Sequence, residues 1–66
     1  MKKKYIVIGY KEVSVKDMWD NGTKEFVLGT YIGGPYTDIN HAEDQAAEQV
    51  KNFELGIEIK TVFVKD

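Results

Sequence analysis

The sequence predicts a small α+β domain of order ββαβ, in which one helix packs on one face of an antiparallel sheet. Three observations predict this class: two long runs of β-branched and aromatic residues, one stretch with helical periodicity, and a short apolar run near the end. The apolar period changes from 2 to 3.6 just after Gly33-Gly34-Pro35. We therefore expect a single domain over residues 1–66, with strands at about 3–16, 24–33 and 57–64 and a helix at about 38–54.

The first strand carries an apolar alternation that changes phase along its length. Ile6 and Ile8 alternate in one phase, whereas Val13 and Val15 alternate in the other. An extra residue in one strand of a pair produces such a change, so we predict a β-bulge near Gly9–Glu12.

Asn21-Gly22 is the strongest short-range hairpin signal in the chain, because both residues tolerate a positive φ. A two-residue turn at this position places Val15 opposite Leu28 in the second strand. The same register sets Asp17 against Phe26, so a longer loop remains an alternative.

The helical stretch presents one narrow apolar stripe, which consists of Ile39, Ala42, Ala46, Val50 and Phe53. Its start has alternative caps. Asn40 and Glu43 have the spacing of a capping box, whereas Thr37 or Asp38 would cap the helix one turn earlier. Gly56 is expected to end the helix with a left-handed conformation.

The helix connects the second strand to the third, so these strands should be parallel and joined by a right-handed crossover. The continuous apolar run Tyr5–Ile8 is typical of a central strand. The predicted sheet order is therefore 2-1-3, with the third strand antiparallel to the first. The third strand shows its own change of phase, from Ile57 and Ile59 to Val62 and Val64.

A single helix covers only one face of such a sheet, yet the strands carry apolar residues in both phases. Val27 and Tyr31 lie in the phase opposite to Phe26 and Leu28. An apolar patch left exposed in this way marks a contact with another protein. The alternative is that twist and bulges bury both phases at different points along the sheet.

The candidate partner-binding residues lie on the uncovered face, at the hairpin tip and on the acidic outer face of the helix: Tyr5, Val7, Met18, Trp19, Val27, Tyr31, Asp44 and Glu48. Tryptophan and tyrosine are favoured interface anchors. A tryptophan at a hairpin tip also commonly folds back on its own sheet, so Trp19 keeps both interpretations.

The charge is distributed unevenly along a chain whose net charge is −2. Residues 1–16 hold five lysines and one glutamate, a net charge of +4, and residues 38–54 hold five acidic residues and one lysine, a net charge of −4. An acidic chain without arginine is a poor nucleic-acid binder. Its polarity suits a protein partner, because complementary charge steers association.

The composition also bears on cofactors and compartment. The chain has no cysteine and one histidine, so disulfides, thiolate zinc sites and histidine-rich metal sites are excluded. We expect neither a metal nor a cofactor. With no signal peptide and no apolar run of membrane-spanning length, the expected compartment is the cytoplasm.

The strand-to-helix junction is a minority candidate for a ligand site, formed by Gly33, Gly34, Tyr36 and Thr37. Free backbone N–H groups at a helix start bind anions, and tyrosines stack on bases. Neither of the glycine-rich nucleotide-binding patterns is present, so a tight βα turn is the simpler interpretation.

No catalytic motif is recognisable. His41, Asp44 and Glu48 share the outer helix face, where they could bind a divalent ion or act as acid and base, but a solvated helix face is the simpler explanation, because these residues lack convergent walls and any means of desolvation. We therefore predict that the protein is not an enzyme. A second alternative is weak nucleic-acid binding through the basic first strand, by Lys2–Lys4, Lys11 and Lys16 with Tyr5 and Tyr10.

The predicted function is stoichiometric binding of a macromolecular partner, whose activity the protein modulates or inhibits. We also expect a homodimer, formed through the open sheet face or a sheet edge, because a chain of this length buries too little surface for an ample stability margin. Size and composition are typical of accessory proteins of phages and mobile elements. Binding of an anion or nucleotide remains the first alternative.

Overall fold

The computed structural model describes residues 1–17, 19 and 22–65 of the chain. The elements are β1 (Lys2–Lys16), β2 (Thr23–Tyr36), α1 (Ile39–Gln49), a 3₁₀ turn (Val50–Asn52) and β3 (Ile57–Val64). Both β2 and β3 pair antiparallel with β1, in the sheet order β2-β1-β3. The α+β fold with strand order 2-1-3 and one helix against the sheet is confirmed.

The core lies where the helical segment crosses the middle of the sheet. Val7 of β1 and Ala42 of α1 are fully buried between the sheet and the helix. The ring of Phe53 covers Gly9. The small side chain of Ala42 allows this close approach. Ile39 and Val50, two of the five residues of the predicted stripe, remain substantially exposed, so the stripe is only partly buried.

The predicted hairpin register is wrong by four residues on β2. Val15 pairs with Lys24 instead of Leu28, and the hairpin closes with a bond of 2.7 Å from Asp17 N to Gly22 O. The Asp17 carboxylate stabilises the longer loop, because it accepts from Trp19 N at 2.9 Å and pairs with Lys24 Nζ at 3.0 Å. Asn21, on which the two-residue turn was predicted, lies outside the described residues.

The bulge predicted near Gly9–Glu12 is also wrong. The β1–β2 register is continuous from Ile8 to Lys16, and its shifts lie between Tyr5 and Ile8, where β2 contributes the extra residues. The phase change in β1 has a different cause: Val7 faces the helix, and the apolar residues of the other phase face away from it. The β1–β3 register is likewise continuous over the whole of β3.

The second strand continues through the Gly-Gly-Pro segment to Tyr36, three residues beyond the predicted end near Gly33. Its Gly34–Pro35 peptide bond is cis, and Gly34 has a φ of 115°. A Cβ atom at Gly34 would lie 2.6 Å from the carbonyl oxygen of Tyr5. Only glycine fits here, because the backbone needs a positive φ and passes directly against β1.

The helix begins at the earlier of the two predicted caps. Asp38 is the N-cap, and its carboxylate accepts from Asn40 N at 2.9 Å. The α-helix ends at Gln49 and tightens into the 3₁₀ turn, several residues before the predicted end near residue 54. Gly56 has the expected positive φ, 100°, and its N–H donates to Phe53 O at 2.9 Å.

The molecule is long and thin, with extents of 48 × 27 × 11 Å. Its radius of gyration is 15.4 Å, whereas a compact chain of this length has a value of about 11 Å. The excess comes from the β1–β2 hairpin, which projects beyond the helix and β3. We call its projecting part, Lys11–Lys16 with Thr23–Leu28, the arm.

Candidate interaction surface

The two sides of the sheet can be assigned from the side chains around Gly9 and Gly29. The ring of Phe53 covers Gly9, so Gly9 and Val7 lie on the helix side. A Cβ atom at Gly29 would lie 3.1 Å from Tyr10 Cε1, so Gly29 and Tyr10 lie on the opposite side, which we call the open face. Since side chains alternate along a strand, these assignments also give the side of the sheet on which every other side chain of the arm lies.

The helix side of the arm carries large apolar residues that remain about half exposed. Val15, Phe26 and Leu28 follow Val7 and Gly9 on this side by alternation and pairing, and Phe26 is 51% exposed. The helix does not reach them. They form an apolar surface that continues the core outward along the arm.

A surface concavity of about 300 Å³ lies at the distal end of this apolar surface. Trp19 forms one of its sides and is 97% exposed, so it does not fold back on its own sheet. The lining combines apolar and charged side chains: Val15, Lys16, Asp17, Trp19, Lys24 and Phe26. Such a site can receive an apolar side chain of another molecule, with lysines at its rim.

The open face carries a second exposed group of apolar side chains. Val27 and Tyr31 are 66% and 58% exposed, and they adjoin the half-buried Ile8 and Tyr10. The Tyr10 hydroxyl donates to Glu58 Oε1 at 2.7 Å. This bond and, to a lesser degree, burial and the negative charge of the glutamate raise the pKa of Tyr10. The face is therefore apolar with a fixed polar border.

Three carboxylates meet at the boundary between the arm and the rest of the sheet. Glu54 Oε1 accepts from the backbone N–H of Glu12 at 3.1 Å, and Glu25 lies diagonally across from Glu12 on the open face. A side-chain hydrogen bond with Glu25 is the main cause that raises the pKa of Glu12; repulsion from Glu25, burial and repulsion from Glu54 add to it.

The predicted partner-binding residues divide into accessible and inaccessible positions. Trp19, Val27, Tyr31, Asp44 and Glu48 are exposed. Tyr5 is half-buried. Val7 is fully buried under the helix, so its assignment to a partner-binding surface is wrong. Met18 lies outside the described residues.

Sequence reasoning missed Phe26, Leu28 and Val15 as exposed residues, because their phase matches that of the core. The lengths of the strand and the helix could have revealed that these residues are exposed. A strand of 15 residues such as β1 spans about 50 Å. The helix, with 11 residues, spans about 17 Å and cannot cover its whole length.

The Gly-Gly-Pro junction is filled by the protein's own groups. The Tyr31 hydroxyl donates to the carbonyl oxygen of Gly34, and the Tyr36 hydroxyl lies against Gly33. Asp38 already occupies the N–H of Asn40 at the helix start. Thr37, the fourth residue of the predicted ligand site, is also engaged, because its Oγ1 accepts from the Lys4 ammonium at 2.7 Å. Ligand binding at this junction stays a prediction that these contacts do not favour.

Two other sites were predicted from the sequence, a metal or acid–base site on the helix and a nucleic-acid site on the first strand. His41, Asp44 and Glu48 are exposed, and the described residues contain no group of three or more His, Cys, Asp or Glu side chains placed to hold a metal ion. Nucleic-acid binding through the basic first strand also stays a prediction. In the described part of the chain, no helix has the length and apolar character needed to cross a membrane.

Comparison with known proteins assigns no family. No protein-family profile and no solved structure matches the chain. Among curated proteins, the tetraacyldisaccharide 4'-kinase of Polynucleobacter asymbioticus is similar, with 42% identity over 40 residues. The match covers 61% of this chain and 11% of the kinase, so the chain spans about one ninth of the length of that relative.

Proposed function

We propose that this protein is a non-enzymatic, stoichiometric protein-binding modulator that holds its partner with the arm and the adjoining open face. One observation carries the proposal: the arm exposes apolar side chains on both faces, Phe26 and Leu28 on one and Val27 on the other. Exposed apolar patches of this kind mark protein contact sites.

The shape of the arm supports a partner with a cleft. The arm is a two-stranded ribbon in a molecule whose thinnest extent is 11 Å, so a cleft can contact both of its faces. Trp19 at its tip and Tyr31 near its base provide aromatic anchors at the two ends. The expected partner therefore offers an apolar groove that admits a β-ribbon.

The experiment is capture of a partner from a lysate of the source organism, followed by measurement of binding to the purified partner. Val27→Lys places a charge in the centre of the open face. Val50→Lys is the matched control, because Val50 is also exposed, at 54%, but belongs to the 3₁₀ turn and not to the arm or the open face. Trp19→Ala tests the tip, and circular dichroism verifies that each variant is folded.

The proposal expects one protein to bind at a fixed stoichiometry, with loss of binding in Val27→Lys and Trp19→Ala and retention in Val50→Lys. Equal retention of that protein by all the variants would show that the arm is not the contact surface. If calorimetry with the purified protein gave no defined stoichiometry, the modulator role itself would be wrong.

A further inference from the structure

The outer edge of β1 is unpaired along the arm. β3 pairs with β1 only as far as Gly9. Two further residues are bound on that side: Tyr10 by backbone hydrogen bonds with Leu55 and Gly56, and the N–H of Glu12 by the side chain of Glu54. From Val13 to Lys16, β1 pairs with β2 alone in the described chain. An open strand edge of this kind is a template for another strand.

Hydrogen bonds at both sides of β1 show which backbone groups point to the open edge. Asp17 N donates to Gly22 O on the β2 side, whereas Glu12 N points to the β3 side. Since the backbone groups of successive residues point to opposite sides of a strand, those of Ser14 and Lys16 point to the open edge, as those of Glu12 do.

The sequence along this edge is complementary to itself in the antiparallel direction. It runs Glu-Val-Ser-Val-Lys from Glu12 to Lys16. A two-fold axis at Ser14 sets Glu12 of each copy opposite Lys16 of the other, and Val13 opposite Val15. Opposite charges attract in cross-strand pairs and β-branched residues pack well there, so every pair around Ser14 is favourable.

We propose that the protein forms a symmetric dimer in which the β1 edges of two copies pair antiparallel about Ser14, joining the two sheets into one. Each of Glu12, Ser14 and Lys16 then exchanges backbone hydrogen bonds with the residue opposite. The occupant of the open edge is a second copy of this chain, and the contact uses the edge of β1 rather than the open face that carries Val27 and Tyr31.

The charges around Glu12 favour this occupant. Glu12 is crowded by the carboxylates of Glu25 and Glu54. The second copy brings the Lys16 ammonium to this position, and its Lys16 carbonyl replaces the Glu54 carboxylate as acceptor for the N–H of Glu12. The dimer thus supplies a cation where the single chain gathers negative charge.

The apolar residues of the arm also favour a second copy of the chain at the open edge. Val13 and Val15 lie on the helix side, beside Phe26 of β2. In the dimer, the valines of both copies adjoin one another between the two Phe26 rings, which makes one apolar surface out of two. This contact buries part of the surface that the single chain leaves exposed.

The test is solution mass, measured by sedimentation equilibrium or light scattering over a wide range of concentration. Wild type is expected to be a dimer that dissociates on dilution. Lys16→Glu sets glutamate opposite Glu12 at two symmetric positions, and Glu12→Lys sets lysine opposite Lys16. Each single variant should raise the dissociation constant at least about tenfold.

Two combinations restore the complementary charges. The double variant Glu12→Lys/Lys16→Glu should dimerise again, and a mixture of the two single variants should form the heterodimer in preference to either homodimer. Lys51→Glu in the 3₁₀ turn changes the net charge as Lys16→Glu does, and this control should dimerise like wild type. Circular dichroism establishes that every variant retains the sheet.

A folded wild-type chain that remains monomeric at millimolar concentration would overturn the proposal. A dimer whose dissociation constant is unchanged by Lys16→Glu and by Glu12→Lys would overturn it too, since such a dimer uses another surface. Weakening by both single variants without recovery in the double variant would also overturn the proposed register, because Glu12 and Lys16 would then act separately and not as an opposed pair.

Discussion

The ring of Phe53 lies directly over Gly9 and closes the core where β1 passes beneath the end of the helical segment. A Cβ atom at Gly9 would overlap the ring. β3 pairs with β1 only as far as Gly9, and Leu55 and Gly56 extend these backbone bonds by one residue, to Tyr10, so the Phe53–Gly9 contact marks the boundary between the packed part of the molecule and the arm.

Replacement of Gly9 by alanine should therefore lower the free energy of unfolding by about 1–3 kcal/mol, the usual cost of an added methyl group in a packed site. Urea denaturation followed by circular dichroism measures this change. The matched control is the same substitution in a Phe53→Ala background, where the space of the ring is free for the methyl group.

The two substitutions should be coupled, so that Gly9→Ala costs less in the Phe53→Ala background by more than about 0.5 kcal/mol. Equal costs in the two backgrounds would mean that the strand, and not the ring, resists the methyl group.

The strand order and the single helix could be predicted from the sequence, because both follow from periodicity and from the apolar run at Tyr5–Ile8. The hairpin register could not. Asn-Gly favours a tight turn locally, but the Asp17 carboxylate stabilises a longer loop through Trp19 N and Lys24, and a pattern of residue types does not reveal that competition.

The extent of the candidate surface was only partly predictable. The apolar phases of β1 and β2 indicated an uncovered open face, where Val27 and Tyr31 are indeed exposed. The phase of Phe26 is that of the core, and its exposure depends on how far the helix reaches along the sheet. Periodicity gives the side on which a residue lies, whereas tertiary packing decides whether that side is covered.

The N-cap at Asp38 provides a second prediction. Its carboxylate accepts from Asn40 N at 2.9 Å, so Asp38→Ala should lower stability by about 1 kcal/mol. Asp38→Asn, which keeps an acceptor oxygen in the same place, should cost much less. Hydrogen exchange at the amide of Asn40 should accelerate in the alanine variant alone; equal acceleration in both variants would contradict capping by the side-chain oxygen.

The bond from the Tyr10 hydroxyl to Glu58 leads to a third prediction. The bond raises the pKa of Tyr10 above its ordinary value of 10.0, so its stabilising contribution is present below that value and is lost as pH rises through the folded-state pKa. Glu58→Gln should lower the pKa of Tyr10, as measured by NMR of the ring carbons. Glu48→Gln on the helix is the control, and an unchanged Tyr10 titration in Glu58→Gln would show that the bond is absent in solution.

The crowded carboxylates Glu12 and Glu25 lead to a fourth prediction, which concerns the single chain at concentrations where any dimer has dissociated. The pKa of Glu12 is raised above its ordinary value of 4.5, chiefly by its hydrogen bond with Glu25. The folded chain therefore holds this proton more tightly than the unfolded chain does. The resulting stability is fully present below the ordinary pKa and is lost as pH rises through the raised one.

Glu25→Gln removes the second negative charge while its amide can still donate to Glu12. The variant should melt at a higher temperature than wild type at neutral pH, and the difference should vanish in acid, where both carboxyl groups are protonated in the wild type. NMR titration should show a lower pKa for Glu12 in the variant. Glu48→Gln changes the net charge equally and serves as the control. If both variants gain the same stability at neutral pH, the gain reflects overall charge and not the Glu12–Glu25 contact.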